Sequence, residues 1–461
     1  MALEEKMKNR NIFLMEKESV GKALFFLAVP SVLAMLVQII YGLTDAFFIG
    51  KLQDPNLMAA IALAMPFALL IQAIGNIFAI GGASYISRCL GEKKYDEAQH
   101  TSSVCFYFSA VSGFLLTAIF FIFPDEILAF LGNTEATHKA AKDYLNVLIS
   151  CSFIQVLQVT LAGLIRSEGA TKHAMIGIIV GTTLNTILDA LFILSLGWGV
   201  AGAAWATVIG NVAGVIYYLY YFFQSKSLLS IRFKDIKPNK NMIREVSFIG
   251  FPSALNALIM SASHIITNNL AIRYGENVVA ANGIMMRLIA IIFFIIMGLV
   301  QGYQPFAGYN FGAKNFKRLA QAFWTVTGTS IVIASFVCVI FYFWGKELFA
   351  LFLNNEDVIQ KGNIMLRAFL WAVPFFGIHF IICMTFQATG KALLAFILVG
   401  TRQCFLFLPL IYILDHLYGF QGFVFAQPIS DVITTFVACG LLGIFFYRLR
   451  KKAGRNLKRA L

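Results

Sequence analysis

Residues 23–49 read ALFFLAVPSVLAMLVQIIYGLTDAFFI, a run with no lysine or arginine, one proline (Pro30) and one carboxylate, Asp45. A helix through it would be about 40 Å long at 1.5 Å per residue, enough to cross a hydrocarbon core of roughly 30 Å. Eleven further runs of spanning length follow, over 58–86, 98–123, 139–165, 173–196, 200–224, 243–271, 278–303, 319–344, 358–387, 392–414 and 420–447. The whole chain of 461 residues shares this character, being 59% hydrophobic and 15% aromatic. Only 13% of residues are charged, against roughly 25% in soluble domains. The expected fold is therefore an all-α membrane protein of twelve transmembrane helices. About twenty residues rich in charge precede the first run, with no short h-region and cleavage site, so that run is expected to remain as the first helix.

The net charge of +13 does not point to nucleic acid, because the basic residues lie between apolar runs rather than on a polar domain. Sorted by position, 27 of the 36 lysines and arginines fall on the side of the N-terminus, the 225–242 segment and the tail. Six fall on the opposite side and three, Arg287, Arg367 and Arg402, within runs. Positive charge is retained in the cytoplasm, so both termini are expected there, in a multi-pass protein of an inner (plasma) membrane. Seven cysteines stand singly with no Cys-x-x-Cys pair, which excludes a metal-binding cysteine motif of that kind.

The chain matches itself at an offset of 220 to 222 residues. Pro30-Ser31 recurs as Pro252-Ser253, Gly91-x-Lys93 as Gly312-x-Lys314, Gly169 as Gly390, and Gly199-x-x-Gly202-x-x-x-Ala206 as Gly419-x-x-Gly422-x-x-x-Ala426. These are turn and packing residues, which a chance match of apolar runs would not align. Six spans per repeat is even, so the halves enter from the same side and form two pseudo-symmetric six-helix bundles: an N-lobe over 1–224, a cytoplasmic linker over 225–242 and a C-lobe over 243–461. Two such lobes leave a cleft that rocking exposes to each side in turn. In the sixth span Gly202, Ala206, Gly210 and Gly214 make a smooth stripe for close helix packing.

An ionised side chain at bilayer depth costs at least about 2.5 to 3.5 kcal/mol and marks a functional candidate. Asp45 and Asp189 both fall in the outer half of the membrane, Asn185 lies one turn before Asp189, and Thr207 reaches the same depth on the sixth span. Four oxygen-bearing side chains on three helices suit exchange of a proton or coordination of a hard cation such as sodium; interhelical hydrogen bonding is the competing reading. Pro30 permits a bend in the first span. Gln38, Tyr41, Gln72, Asn76 and Gln158 are candidate polar points of a substrate cleft suited to bulky lipophilic cations. In the second half Arg287, Arg367, Arg402 and Asp431 read as a neutralising network, with cleft lining as the alternative. His264 and His379 read as interhelical hydrogen-bonding residues, and Met285, Met286 and Met297 as core.

The sequence also resembles the multidrug and toxic compound extrusion (MATE) transporters, of the bacterial DinF-like or MepA-like kind. The matching residues are Pro30-Ser31, Asp45-Ala46-Phe47-Phe48-Ile49-Gly50, Gly91-Glu92-Lys93-Lys94, Asn185-x-x-x-Asp189 and Gly197-Trp198-Gly199-Val200-Ala201-Gly202-Ala203-Ala204. The resemblance implies a secondary active antiporter rather than an enzyme, with ion coupling at Asp45, supported by Asn185, Asp189 and Thr207, and a bending proline at Pro30. It implies no cofactor beyond the coupling ion, H+ or Na+, no structural metal, and small-molecule substrates and membrane lipid as the partners of a monomer. The chain departs from relatives with acidic residues in spans seven and ten, since span seven has no mid-membrane carboxylate and span ten offers Arg367. A lipid-linked precursor flippase is the alternative transport function. An intramembrane protease is disfavoured, because no Gly-x-Gly-Asp context surrounds either aspartate.

Overall fold

The computed structural model describes residues 10–50, 55–130, 135–224 and 227–459. Lys6, Lys8, Lys51 and Lys226 of the charge sorting, and residues 225–226 of the expected linker, lie outside the described residues. Among those described, the regular structure is helical and no strand occurs. The spanning helices are α1 (Val20–Gly50), α2 (Pro55–Gly91), α3 (Tyr95–Ile122), α4 (Glu135–Ser150 then Ser152–Ser167), α5 (Thr171–Asp189, continued by a π-turn over Ala190–Ser195) and α6 (Gly199–Phe223). The second half supplies α7 (Lys240–Ile272), α8 (Glu276–Gly312), α9 (Phe316–Phe343), α10 (Glu356–Leu370 then Val373–Ala388), α11 (Ala392–Gly400, a π-turn over Thr401–Phe407, then Leu408–Tyr418) and α12 (Phe420–Arg459).

Ten helices are long and apolar enough to cross a membrane alone, and α4 and α10 each cross as a pair of helices bent by 50° and 49°, making twelve spans. The sequence reading gives 139–165 and 358–387 as one span each, and in the structure each is a bent pair of helices. In α10 the cause is Pro374, whose ring excludes the carbonyl four residues earlier and whose nitrogen carries no hydrogen. In α4 the break falls at Cys151, between two serines whose hydroxyls bond elsewhere. Ser150 bonds back to the Asn146 carbonyl, while Ser152 donates to the Gly113 carbonyl at 3.1 Å and meets the Thr117 hydroxyl at 2.8 Å.

The internal repeat is visible in the backbone. Lys93 and Lys314 have φ of 62° and 56°, Gly169 and Gly390 have 82° and 75°, and Gly199 and Gly419 both have 56°. Left-handed backbone is uncommon outside glycine, so two lysines adopting it at equivalent positions mark one turn built twice.

The halves meet along α1 against α8, and α2 against α7 and α8. Their approach is backbone to backbone. A Cβ on Gly81 would stand 2.1 Å from the Val246 carbonyl oxygen, one on Gly250 would stand 2.2 Å from that of Ile77, and one on Gly302 would stand 2.4 Å from the Ala28 Cα. Nearer the loops, Gly91 faces the Tyr309 carbonyl and Gly312 that of Arg88 at 2.0 and 2.2 Å. Polar contacts reinforce the same end: Ser84 Oγ donates to the Gln387 carbonyl at 2.5 Å, and Arg88 meets Glu245 at 2.9 Å. Among the described residues these contacts cluster at the end that carries the 227–239 segment, so the halves are clamped there.

That segment is itself strapped to the first half. Buried Glu168 accepts from the Tyr221 hydroxyl at 2.7 Å, from Ser227 Oγ at 2.9 Å and from the Leu228 amide at 2.7 Å. Ser102 and Ser103 both donate to the Ser230 carbonyl, at 2.6 and 2.8 Å.

The clamp predicts a specific cost. Gly250→Val should destabilise the protein by about 1–3 kcal/mol through overpacking, whereas Gly440→Ala, which meets nothing within 4 Å, should be neutral or mildly stabilising. Thermal unfolding of the two purified variants measures the difference, and equal melting temperatures would refute the close backbone seam.

Candidate functional site

The first half gathers its polar residues where α5 and α6 cross on glycines. A Cβ on Gly210 of α6 would lie 2.6 Å from the Gly181 carbonyl oxygen and 2.9 Å from Asn185 Cβ. That crossing brings Asn185 against Thr207, and Asn185 Nδ2 donates to Thr207 Oγ1 at 3.3 Å. Tyr41 of α1 lies beside Thr207, within electrostatic reach of both Asp45 and Asp189. Asp45 lies within electrostatic reach of Asp189, and Tyr144, on the segment of α4 before its break, within reach of both. The structure therefore brings together all four residues expected at the ion site. Sequence reasoning placed Tyr41 in the cleft rather than beside this cluster, and missed Tyr144 altogether, because the bend that carries Tyr144 inward leaves no periodic signal.

The electrostatic state of the cluster is unusual. Asp189 is 0% exposed and neither of its carboxylate oxygens has a hydrogen-bond partner, and Oδ1 of buried Asn185 is likewise unpartnered. Buried acceptors without donors are rare in folded proteins. Three such oxygens beside a second carboxylate form a set that a proton or a small hard cation would satisfy. Among the described residues no group of three or more His, Cys, Asp or Glu could hold a metal ion. The π-turn that follows Asp189 widens the helix at this point, a feature frequent at functional sites.

Pro30 lies inside the continuous helix α1. A proline at this position frees the carbonyl of Phe26, and the structure satisfies it from outside the helix: Thr171 Oγ1 of α5 donates to Phe26 O at 3.4 Å. Of the other cleft candidates, Gln38 and Asn76 are half-buried and Gln72 is exposed. Gln158 is wedged between α5 and α6, its Nε2 2.8 Å from where a Gly214 Cβ would stand.

In the second half the four charged residues separate. Arg402, on the π-turn of α11, pairs with Asp431 of α12 through Nε at 2.8 Å, and Gln427 Nε2 donates to the same carboxylate at 2.9 Å. The Arg402 guanidinium lies over the rings of Phe376 and Phe380, 4.7 and 5.3 Å from their centroids. Arg287 and Arg367 are both exposed, and Arg367 lies over Tyr342 at 4.5 Å. Only the Arg402–Asp431 pair forms the expected neutralising contact, and Arg402 also lines a cavity of 270 Å³ inside the second half. Met285 and Met286, read as core from sequence, line that cavity too, as does exposed His264. His379 is buried with Nδ1 unpartnered.

Comparison with known proteins agrees with this architecture. The MatE family model matches the chain twice, over residues 30–191 and 252–413, two matches that stand 222 residues apart at both ends. The chain is 31% identical over 433 residues to the multidrug export protein MepA of Staphylococcus aureus, covering 94% of this chain and 95% of that protein. It is 30% identical over 432 residues to MepA of Staphylococcus saprophyticus, with the same coverage. Among solved structures it resembles an outward-facing multidrug resistance MATE family transporter of the MOP superfamily, with a TM-score of 0.91 and 24% identity, over 95% of this chain and 98% of that one.

The unpartnered carboxylate predicts a trade of stability against function. An unsatisfied buried polar group costs about 1–3 kcal/mol, so Asp189→Leu should raise the thermal stability of the purified protein by that order in a buffer without sodium. A lower melting temperature than the unaltered protein would show that Asp189 is held by bonds instead.

Proposed function

The chain belongs to the MatE family, and on that premise we propose that it is a secondary multidrug transporter, exporting amphipathic or cationic small molecules in exchange for protons or sodium by alternating access. It is a multi-pass membrane transport protein and not an enzyme. The observation that carries the exchange reading is the buried, unpartnered carboxylate of Asp189 facing Asp45 beside Asn185 and Thr207. Such a set is costly when empty and charged, and the cost falls when a proton or sodium ion binds. An ion that binds more tightly in one conformation than in the other shifts the balance between them by its differential affinity.

The lobes are taken as 1–224 and 243–461, joined by the 225–242 linker. The charge sorting puts that linker and both termini in the cytoplasm of a bacterial cell, with the chain in the plasma membrane. On this orientation the clamped end is cytoplasmic and the cleft opens outward, the state in which cargo leaves and the coupling ion enters the N-lobe. Gln38, Gln72 and Asn76 remain the proposed polar lining on that side, while Tyr41 stands with the ion cluster and Gln158 between α5 and α6. The transporter acts as a monomer, with membrane lipid and its small-molecule cargo as partners and no cofactor beyond the coupling ion. One proton exchanged for one monovalent cation moves no net charge and draws on about 1.4 kcal/mol per pH unit. A second entering ion adds roughly 2.3 kcal/mol per 100 mV.

Efflux of a fluorescent organic cation from vesicles under separately imposed proton, sodium and voltage gradients tests the proposal. Asp45→Asn and Asp189→Asn should each reduce gradient-driven efflux at least about tenfold, a loss of roughly 1.4 kcal/mol of coupling. Undiminished efflux with the same ion dependence would overturn the coupling role. Translocation of a labelled lipid-linked precursor in place of the cation would favour the flippase.

A further inference from the structure

Ahead of α1, residues 10–16 form a short helix that stops before Ser19. Its side chains pack on the first half. Met15 is 0% exposed, and its Cε lies 3.4 Å from where Gly169, in the turn between α4 and α5, would carry a Cβ. Its closing carbonyls are bound from the second half instead. Met15 O accepts from Asn310 Nδ2 of α8 at 3.2 Å and from Arg318 Nη2 of α9 at 3.2 Å, and Glu18 O accepts from the same Nη2 at 2.8 Å.

The local backbone explains why these oxygens are available. In a continued helix the Ser19 amide would bond Met15 O, but it bonds Glu18 Oε1 at 3.3 Å, so the last turn is left with a carbonyl to be answered from outside. A cation is the favoured partner at that end, where the helix dipole is negative. The Arg318 guanidinium is steadied from its own half, lying over the Phe306 ring at 5.3 Å from the centroid.

The segment before α7 is tied in the opposite sense. It leads into the second half, yet side chains of α3 in the first half hold it: Gln99 donates to the Leu228 carbonyl at 3.1 Å, His100 Nδ1 meets the Asp235 carbonyl at 3.0 Å, and Ser102 and Ser103 take Ser230. Each half's lead-in is thus fastened to the other half. Those ties are spread over four side chains, whereas the N-terminal tie converges largely on one guanidinium through charge-assisted bonds. One change of rotamer at Arg318 would release both carbonyls.

We propose that residues 10–19 are a latch across the glycine seam, closed by Arg318 on the carbonyls of Met15 and Glu18, and that the halves part at this end only when Arg318 lets go. The inference rests on the alternating-access reading for the step it controls: the latch adds to the stability of the packed seam and so biases the equilibrium between the two states.

Maleimide labelling of the purified full-length protein in nanodiscs reads the seam without cargo or gradient. In a background with the seven cysteines replaced by serine, Ser87→Cys puts a thiol at a position that is 0% exposed and stands against Gly308 of α8. Its labelling rate follows the fraction of molecules whose seam is open. Arg318→Ala should raise that rate at least about tenfold, the effect of losing charge-assisted hydrogen bonds. Deletion of residues 2–18, which removes both carbonyls, should do the same, and the two changes together should add nothing to either alone. Cys105 retained as the one thiol, 1% exposed and packed against Gly82 inside the first half, should label no faster in Arg318→Ala. An unchanged rate at Ser87→Cys, effects that multiply in the combined variant, or equal acceleration at Cys105 would each overturn the latch. Failure of the gradient-driven efflux assay would instead count against the transport reading and leave this contact standing.

Discussion

The carbonyl oxygen of Val246 sits 2.1 Å from where Gly81 would carry a side chain, and this contact, repeated by Gly250, Gly302, Gly91 and Gly312, sets the rest of the molecule. Apolar side chains gain little by leaving lipid for one another, so helices in a bilayer associate through close packing and hydrogen bonds rather than through the hydrophobic effect. Glycines let the backbones of α1, α2, α7 and α8 come within van der Waals reach, and Ser84 and Arg88 add polar contacts across the same seam. A seam made of backbone cannot deform gradually. It is either packed or parted, which is the bistability a rocking mechanism requires.

The same logic operates within the first half. Gly181 and Gly210 bring α5 and α6 so close that Asn185 and Thr207 must touch, and α1 then lays Tyr41 and Asp45 against them. The charged cluster is thus supported by a crossing of small residues, while the π-turn after Asp189 interrupts regular helix where the carboxylate needs space. Pro30 illustrates how such a bundle tolerates a broken rung. The carbonyl it frees is answered by Thr171 of a neighbouring helix, so a change in the α1–α5 packing would alter the cost of bending α1.

Much of this was legible in the sequence. Twelve runs of spanning length, the 220 to 222 offset and the punctuation residues of the repeat reappear as twelve spans and as paired left-handed turns. That Asp45, Asn185, Asp189 and Thr207 share one level followed from depth, because a bilayer fixes where along a helix a residue lies. Lateral position is not fixed in that way. Depth could not tell that Arg287 and Arg367 are exposed while Arg402 is buried, nor that Met285 and Met286 line a cavity. The bends of α4 and α10 were hidden because hydropathy continues unbroken across Cys151 and Trp371, whereas Pro374 was a local signal that could have been read.

Duplication explains how one chain can hold two unlike pockets without two unlike folds. Both halves keep the glycine and turn residues that shape the bundle, so the positions around Asp45 and, at the 222-residue offset, around Thr267 are carried to corresponding places by the same backbone. What differs is charge. A pair of carboxylates in both halves would double the electrostatic cost of an unloaded transporter, and an apolar pocket in both would leave no ion-binding step to drive the cycle. With the unpaired carboxylates confined to the first half, the cost of burying uncompensated charge is concentrated at one site. The second half, its arginine held by Asp431 and two phenyl rings, is free to offer an apolar interior.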